Sequence, residues 1–412
     1  MREARRRIPG LTLVEHDLEV PLDHADPGGE TITVFAREVI GEASGAEDFP
    51  LLVFFQGGPG HEAGRPAVEP PARSWMARAL REFRVLLLDQ RGTGRSTPVG
   101  AVDGRDPAAQ AAYLTYLRAD SIVRDAELVR EALGVERWSI MGQSFGGFCV
   151  LSYLSFFPKA LREAFVCGGL PPIGRPTDDV YARTYPRVLE RCARYYLRYP
   201  DDRGRVRAVH RLIGDGALVL PTGEPLTSRR FRQLGLMLGM SDGAERLHAI
   251  LERPPESPAF LHDVATVGGF ARNPLYAAVH EACYADGCVT GWAAERLQPH
   301  AFEDPELFTG EHVYSWMFED YAALRPLREA AELVARHPWP RLYDDRRLAE
   351  NDVPVAAVIY TNDMYVDREL SEETASRVRN LRPWLTNEYE HDGIRRDGAR
   401  VLDRLIGLAR GD

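Results

Sequence analysis

The sequence predicts the α/β class: a mostly parallel sheet interrupted, late in its strand order, by a helical insertion. Three observations point there. Short continuous apolar runs at 51–55, 85–88 and 138–141 suit strands buried on both faces. Helical stretches, notably 108–133, alternate with them, as parallel crossovers require. The alternation lapses after a further strand at 164–167 and resumes at 353–360.

The first elements, 13–20 and 30–40, show partial period-two alternation with β-branched residues. Asp26-Pro27-Gly28-Gly29 between them is a turn signal, so they read as a hairpin. With the four runs that follow, the insertion is expected after the sixth strand. Residues 171–340 are arginine-rich and aromatic, with helical patterns at 187–199 and 324–337 and no clear buried strand. After the strand at 353–360 come a helix near 371–379, a strand leading into His391, and a last helix at 395–408. The chain thus divides into a core (1–170), a helical cap (171–340) and the rest of the core (341–412). A length of 412 residues suits two domains, or one large domain with an insertion, and the interrupted rhythm favours the second.

Composition narrows the function classes. Hydrophobic residues at 44% and charged residues at 27% exclude a mainly disordered chain. A net charge of −10 argues against a dedicated nucleic-acid binder. No apolar run is long enough for a transmembrane helix, so no membrane partner is expected. The basic start, residues 1–7, lacks the apolar segment of a signal peptide, and the protein is expected in the cytoplasm. Five cysteines, an odd and sparse set, are expected as free thiols. Cys283 and Cys288 have a ligand-like gap, but no second pair completes a zinc site, so no metal is expected.

The sharpest chemical signal is Gly142-Gln143-Ser144-Phe145-Gly146-Gly147, between an apolar strand and a plausible helix. That is the context of a G-x-S-x-G nucleophile elbow, in which glycines permit a strained turn that lifts the serine hydroxyl clear of the sheet. A serine needs a base, and in this architecture the acid and then the histidine follow it in the chain. Asp363 lies just past the strand 353–360, where a triad acid belongs; Asp367 is the competitor four residues on. His391 is the only histidine after Asp363, on a loop before the last helix. Its ordinary pKa, roughly 6.5, suits a general base. Gln56-Gly57-Gly58-Pro59-Gly60 follows the strand 51–55 and suits an oxyanion hole, with the backbone N–H groups of Gly58 and Phe145 as donors. A phosphate-binding loop there would need a lysine and a Ser/Thr that the segment lacks.

Residues 56–60, the string Asp89-Gln90-Arg91-Gly92-Thr93-Gly94-Arg95-Ser96 and the elbow together resemble the prolyl aminopeptidases (proline iminopeptidases), serine peptidases of the α/β-hydrolase fold. The resemblance is weaker through the insertion, and Gln56 stands where smaller members have histidine. It implies an α/β-hydrolase core with a helical cap, no cofactor, and short peptides with N-terminal proline as substrates. It also implies that cap glutamates hold the substrate ammonium. Glu281 and Glu311, thirty residues apart, match those positions as a charge-assisted clamp. Tyr284, Trp292, Tyr314, Trp316 and Phe318 are candidates for the proline pocket, or for cap core. A carboxylesterase or amide hydrolase on the same scaffold is the alternative. A binding protein that has lost catalysis is disfavoured by the intact Ser144, Asp363 and His391 set.

Overall fold

In the computed structural model of the protein, residues 1–66, 71–100 and 104–411 are described. Nine strands form one sheet: β1 (Arg2–Ile8), β2 (Leu11–Pro21), β3 (Thr31–Gly41), β4 (Leu51–Phe55), β5 (Arg84–Leu88), β6 (Trp138–Gln143), β7 (Leu161–Cys167), β8 (Val355–Tyr360) and β9 (Leu381–Thr386). Their order is β1-β2-β3-β5-β4-β6-β7-β8-β9. β1, β2 and β3 pair antiparallel and join β5 antiparallel; every pairing from β5 to β9 is parallel.

The apolar runs fill the middle of this sheet because both of its faces are covered. β4, β6 and β8 are buried at every position. Each fully buried Val, Leu, Ile or Phe there contributes about 1.5–3 kcal/mol relative to exposure. The helix Phe145–Phe156 packs on β6 and is buried at all but its last residue. The helix Gly398–Arg410 lies on the other face with Val401, Leu402, Leu405 and Ile406 inward, an i, i+1, i+4, i+5 stripe.

The insertion follows the seventh strand, not the sixth. The additional strand is β1, formed from the basic N-terminus. It has no apolar alternation because six of its seven residues are exposed. Its register against β2 is held by backbone pairing, Arg2↔Asp17 to Ile8↔Leu11, and by Arg6 Nη2 to Glu15 Oε1 at 3.0 Å.

No strand of the sheet lies between Cys167 and Val355. That stretch holds one long helix, Thr177–Arg198, and many short helical turns. Two buried groups fasten it to the core. Asp286 accepts the N–H of Gly174 and of Leu342, both at 2.7 Å, so one carboxylate holds both ends of the insertion. Arg118, 1% exposed, donates to the carbonyls of Ala285 (2.7 Å) and Pro340 (3.0 Å). Arg118 also breaks the expected helix 108–133 in two, Pro107–Thr115 and Ala119–Ala132. No helix among the described residues is long and apolar enough to cross a membrane.

Candidate active site

Ser144 is the hinge between β6 and the helix Phe145–Phe156, with φ 52° and ψ −125°. A non-glycine residue holds such a backbone only when its surroundings enforce it. They do so by close approach of main chain: a Cβ on Gly146 would lie 2.0 Å from the Phe55 carbonyl oxygen, and one on Gly142 would lie 2.1 Å from that of Gly146. The Ser144 N–H donates to the Cys167 carbonyl at 2.9 Å, tying the turn to β7.

The structure brings the three predicted residues together. His391 Nε2 lies 2.9 Å from Ser144 Oγ, and its Nδ1 lies 2.6 Å from Asp363 Oδ2. The other Asp363 oxygen accepts the N–H groups of Tyr365 (2.8 Å) and Val366 (3.2 Å), which fixes the carboxylate past the end of β8. The His391 N–H donates to the Gly239 carbonyl in the insertion at 3.2 Å, and its ring meets Tyr365 edge-on at 4.8 Å. Burial alone would push the His391 pKa down; Asp363, and more weakly Glu311, outweigh it and raise it above 6.5. Asp367 is otherwise engaged. It caps the helix Arg368–Arg377 through the N–H groups of Glu369 (2.9 Å) and Leu370 (3.2 Å), and its other oxygen lies 3.3 Å from Arg187 Nε.

The loop after β4 lies against the nucleophile, and its nearer glycine is Gly57. A Cβ on Gly57 would sit 3.1 Å from Ser144 Cβ, whereas one on Gly58 would meet His61 Nδ1 at 2.8 Å. Among the described residues no acceptor meets the N–H of Gly57, Gly58 or Phe145. The Asp89–Ser96 string buttresses this loop. Gln90 Nε2 donates to the Gln56 carbonyl at 2.9 Å, and Asp89 accepts the N–H of Ala63 (3.2 Å) and Arg95 (3.0 Å).

Core and insertion together enclose a cavity of about 290 Å³ over Ser144 and His391. Among the described residues lining it, the one carboxylate is Glu311, 17% exposed. Tyr276 Oη donates to it at 2.7 Å and His280 Nε2 is 3.9 Å away. Burial would raise the Glu311 carboxyl; the His280 and His391 rings outweigh it and hold it below the usual carboxylate range. His312, also on the wall, is kept neutral, pushed down to about 3 by burial.

Glu281 is not brought to the cavity wall. It is 6% exposed, and its two oxygens accept the N–H groups of Ala293 (3.1 Å) and Ala294 (2.9 Å) at the start of the helix Ala293–Arg296. Burial raises its pKa above the usual carboxylate value, against the pull of those two N–H groups.

Residues 50–394 match the model of the alpha/beta hydrolase fold family. A proline iminopeptidase from Aeromonas sobria is 45% identical, over 98% of this chain and 98% of its own. The chain belongs to the proline iminopeptidase family. A second relative, a proline iminopeptidase from Aspergillus aculeatus, is 36% identical over 96% of this chain and 93% of its own.

Of the two readings of the insertion's aromatics, proline pocket or cap core, the structure favours cap core. Trp292, Tyr314, Trp316 and Phe318 pack within the insertion, and Tyr284 packs edge-on against Phe148 of the core; among the described residues the Phe and Tyr rings that reach the cavity are Phe270, Tyr276, Tyr321 and Tyr365. Tyr276 and His280 form one helical face, i and i+4, leading to Glu311. That spacing is visible in the sequence, but only the fold shows which carboxylate it faces.

Proposed function

We propose that this protein is a serine aminopeptidase that releases N-terminal proline from peptides through a prolyl-enzyme intermediate. Ser144 Oγ attacks the first peptide carbonyl while His391 Nε2 takes its proton. Asp363 holds the ring in the tautomer that presents Nε2 as acceptor and stabilises the imidazolium that forms. The oxyanion is received by the N–H of Phe145 and by the loop after β4, at Gly57 in preference to Gly58. His391 then delivers the proton to the leaving amine, and water, activated by the same ring, releases proline. Glu311 anchors the substrate ammonium, and Glu281 supports the turn behind it. Residues 171–340 act as the cap that closes the site.

The observation that carries this reading is the anionic carboxylate of Glu311, the one carboxylate among the described lining residues, opening into the same cavity as the Ser144–His391 pair. An esterase needs no anion beside its nucleophile. A panel of aminoacyl-naphthylamides tests it. The prolyl compound should lead, and acetylating its nitrogen should abolish turnover. Equal turnover of the acetylated compound would favour the esterase instead.

A further inference from the structure

Among the described residues, the cavity wall carries one guanidinium as well as one carboxylate. Among the described residues lining it, Arg395 is the only arginine or lysine. Arg395 sits on the short helix Gly393–Arg396, four residues past His391. It also borders a second recess of about 240 Å³, whose described lining includes Phe54, Trp75, Ile394 and a second arginine, Arg65, and which meets the catalytic cavity at Gln56, Gln143 and Arg395 itself. Arg395 therefore stands where the space around Ser144 continues outward.

Two arginines next to residues of the site have carboxylate partners: Arg191 pairs with Glu390, the neighbour of His391, and Arg272, the neighbour of Asn273, pairs with Glu62. Arg395 does not. Its one polar side-chain contact among the described residues is Nη2 to the Met240 sulfur at 3.5 Å. Its charge is felt by His391, where it opposes protonation of the ring.

We infer that Arg395 is a subsite for the carboxylate of the leaving residue, so that the favoured substrates are dipeptides of proline with a free C-terminus. This rests on the aminopeptidase reading above. His391 hands its proton to the leaving amine, so the leaving residue must lie on the His391 side of Ser144, and in a dipeptide its carboxylate follows that amine by one carbon. A dipeptide at neutral pH carries one cation and one anion. The cavity offers Glu311 to the first and Arg395 to the second, and an arginine fork can take a carboxylate through two parallel N–H donors. The cavity's charges thus match the two ends of the substrate, and binding energy from the remote carboxylate can be used at the reacting carbonyl.

The test compares kcat/KM of the full-length protein for Pro-Gly and Pro-Gly amide, with prolyl-naphthylamide as a third substrate. Pro-Gly should exceed its amide by about tenfold or more, the usual worth of a hydrogen bond to a charged group. Arg395→Gln should bring that ratio close to one, and Arg395→Lys should keep part of it. A wild-type ratio near one, or a ratio that survives Arg395→Gln, overturns the inference. Should Arg395→Gln fail to fold, the wild-type ratio in rising salt decides, since an exposed charge contact must weaken with screening. A high ratio indifferent to salt would then overturn it. Turnover of prolyl-naphthylamide with a ratio of one removes only the carboxylate subsite; no turnover of any of the three removes the aminopeptidase reading as well.

Discussion

His391 stands between two anions, Asp363 at 2.6 Å and, farther off, Glu311. Both favour its protonated form, and catalysis needs the neutral one. Activity should therefore fall as pH drops through a pKa above 6.5, and the acid limb of kcat/KM should lie there. Glu311→Gln removes one of the raising charges, so its limb should shift to lower pH, read from a kcat/KM profile on prolyl-naphthylamide. An unmoved limb would separate Glu311 from His391. The two aspartates should part in the same assay. Asp363→Asn loses the tautomer and should cost on the order of 10⁴-fold in kcat. Asp367→Asn keeps a capping oxygen for the helix Arg368–Arg377 and should change kcat by less than about threefold, with at most ~1 kcal/mol of stability lost. Reversed effects would mean that the wrong aspartate has been chosen. Chain order and strand context make Ser144, Asp363 and His391 legible in the sequence, because an elbow and a strand end leave local marks. Arg395 leaves none. A fourth residue after a histidine is unremarkable until the fold shows which cavity it borders.

Elements built from continuous apolar runs are equally legible, since burial on both faces leaves nothing polar to interrupt them. β1 is not: its pairing partners are backbone atoms and exposed arginines, so the basic text at residues 2–8 carries no periodic signal. The insertion is legible only as helical. Its short turns are too brief to show a period, and the roles of its glutamates depend on which turn each one faces. Glu281 serves an element. Glu281→Gln replaces one of two acceptors with an N–H₂ group and leaves a buried backbone N–H of Ala293 or Ala294 unpaired. That should cost about 1–3 kcal/mol, measured by calorimetry, with little change in the ratio of prolyl-naphthylamide to simple ester hydrolysis. Glu311→Gln should lower the same ratio by roughly tenfold to a hundredfold. If Glu281→Gln lowers it as far, both carboxylates meet the ammonium.

At the scale of the whole molecule, the site exists only because core and insertion are held in register. His391 hangs by its N–H from Gly239 of the insertion, and the cavity takes walls from both parts. Asp286 maintains that register from a fully buried side chain. Asp286→Ala leaves the N–H groups of Gly174 and Leu342 without their charged acceptor and should cost about 3 kcal/mol or more. It should also lower kcat/KM, because the wall carrying Glu311 loosens. Asp352→Ala makes a useful control. Its ion pair with Arg379 is 83% exposed on the aspartate side and should be worth less than about 1 kcal/mol. Equal melting temperatures for the two variants would show that Asp286 does not fasten the insertion.

One carboxylate gathering both ends of the insertion has a consequence for inheritance. Gly174 and Leu342 are separated only by two hydrogen bonds and the width of a carboxyl group, within about 8 Å. To the strands on either side, everything between is equivalent to a short loop, and its length costs them little. Recombination at those two codons could exchange one lid for another without shifting the register of β7 or β8, so long as the incoming lid brings a carboxylate of its own to the place of Asp286. The appetite of such an enzyme could then change in a single genetic event, while its serine, histidine and aspartate pass down untouched.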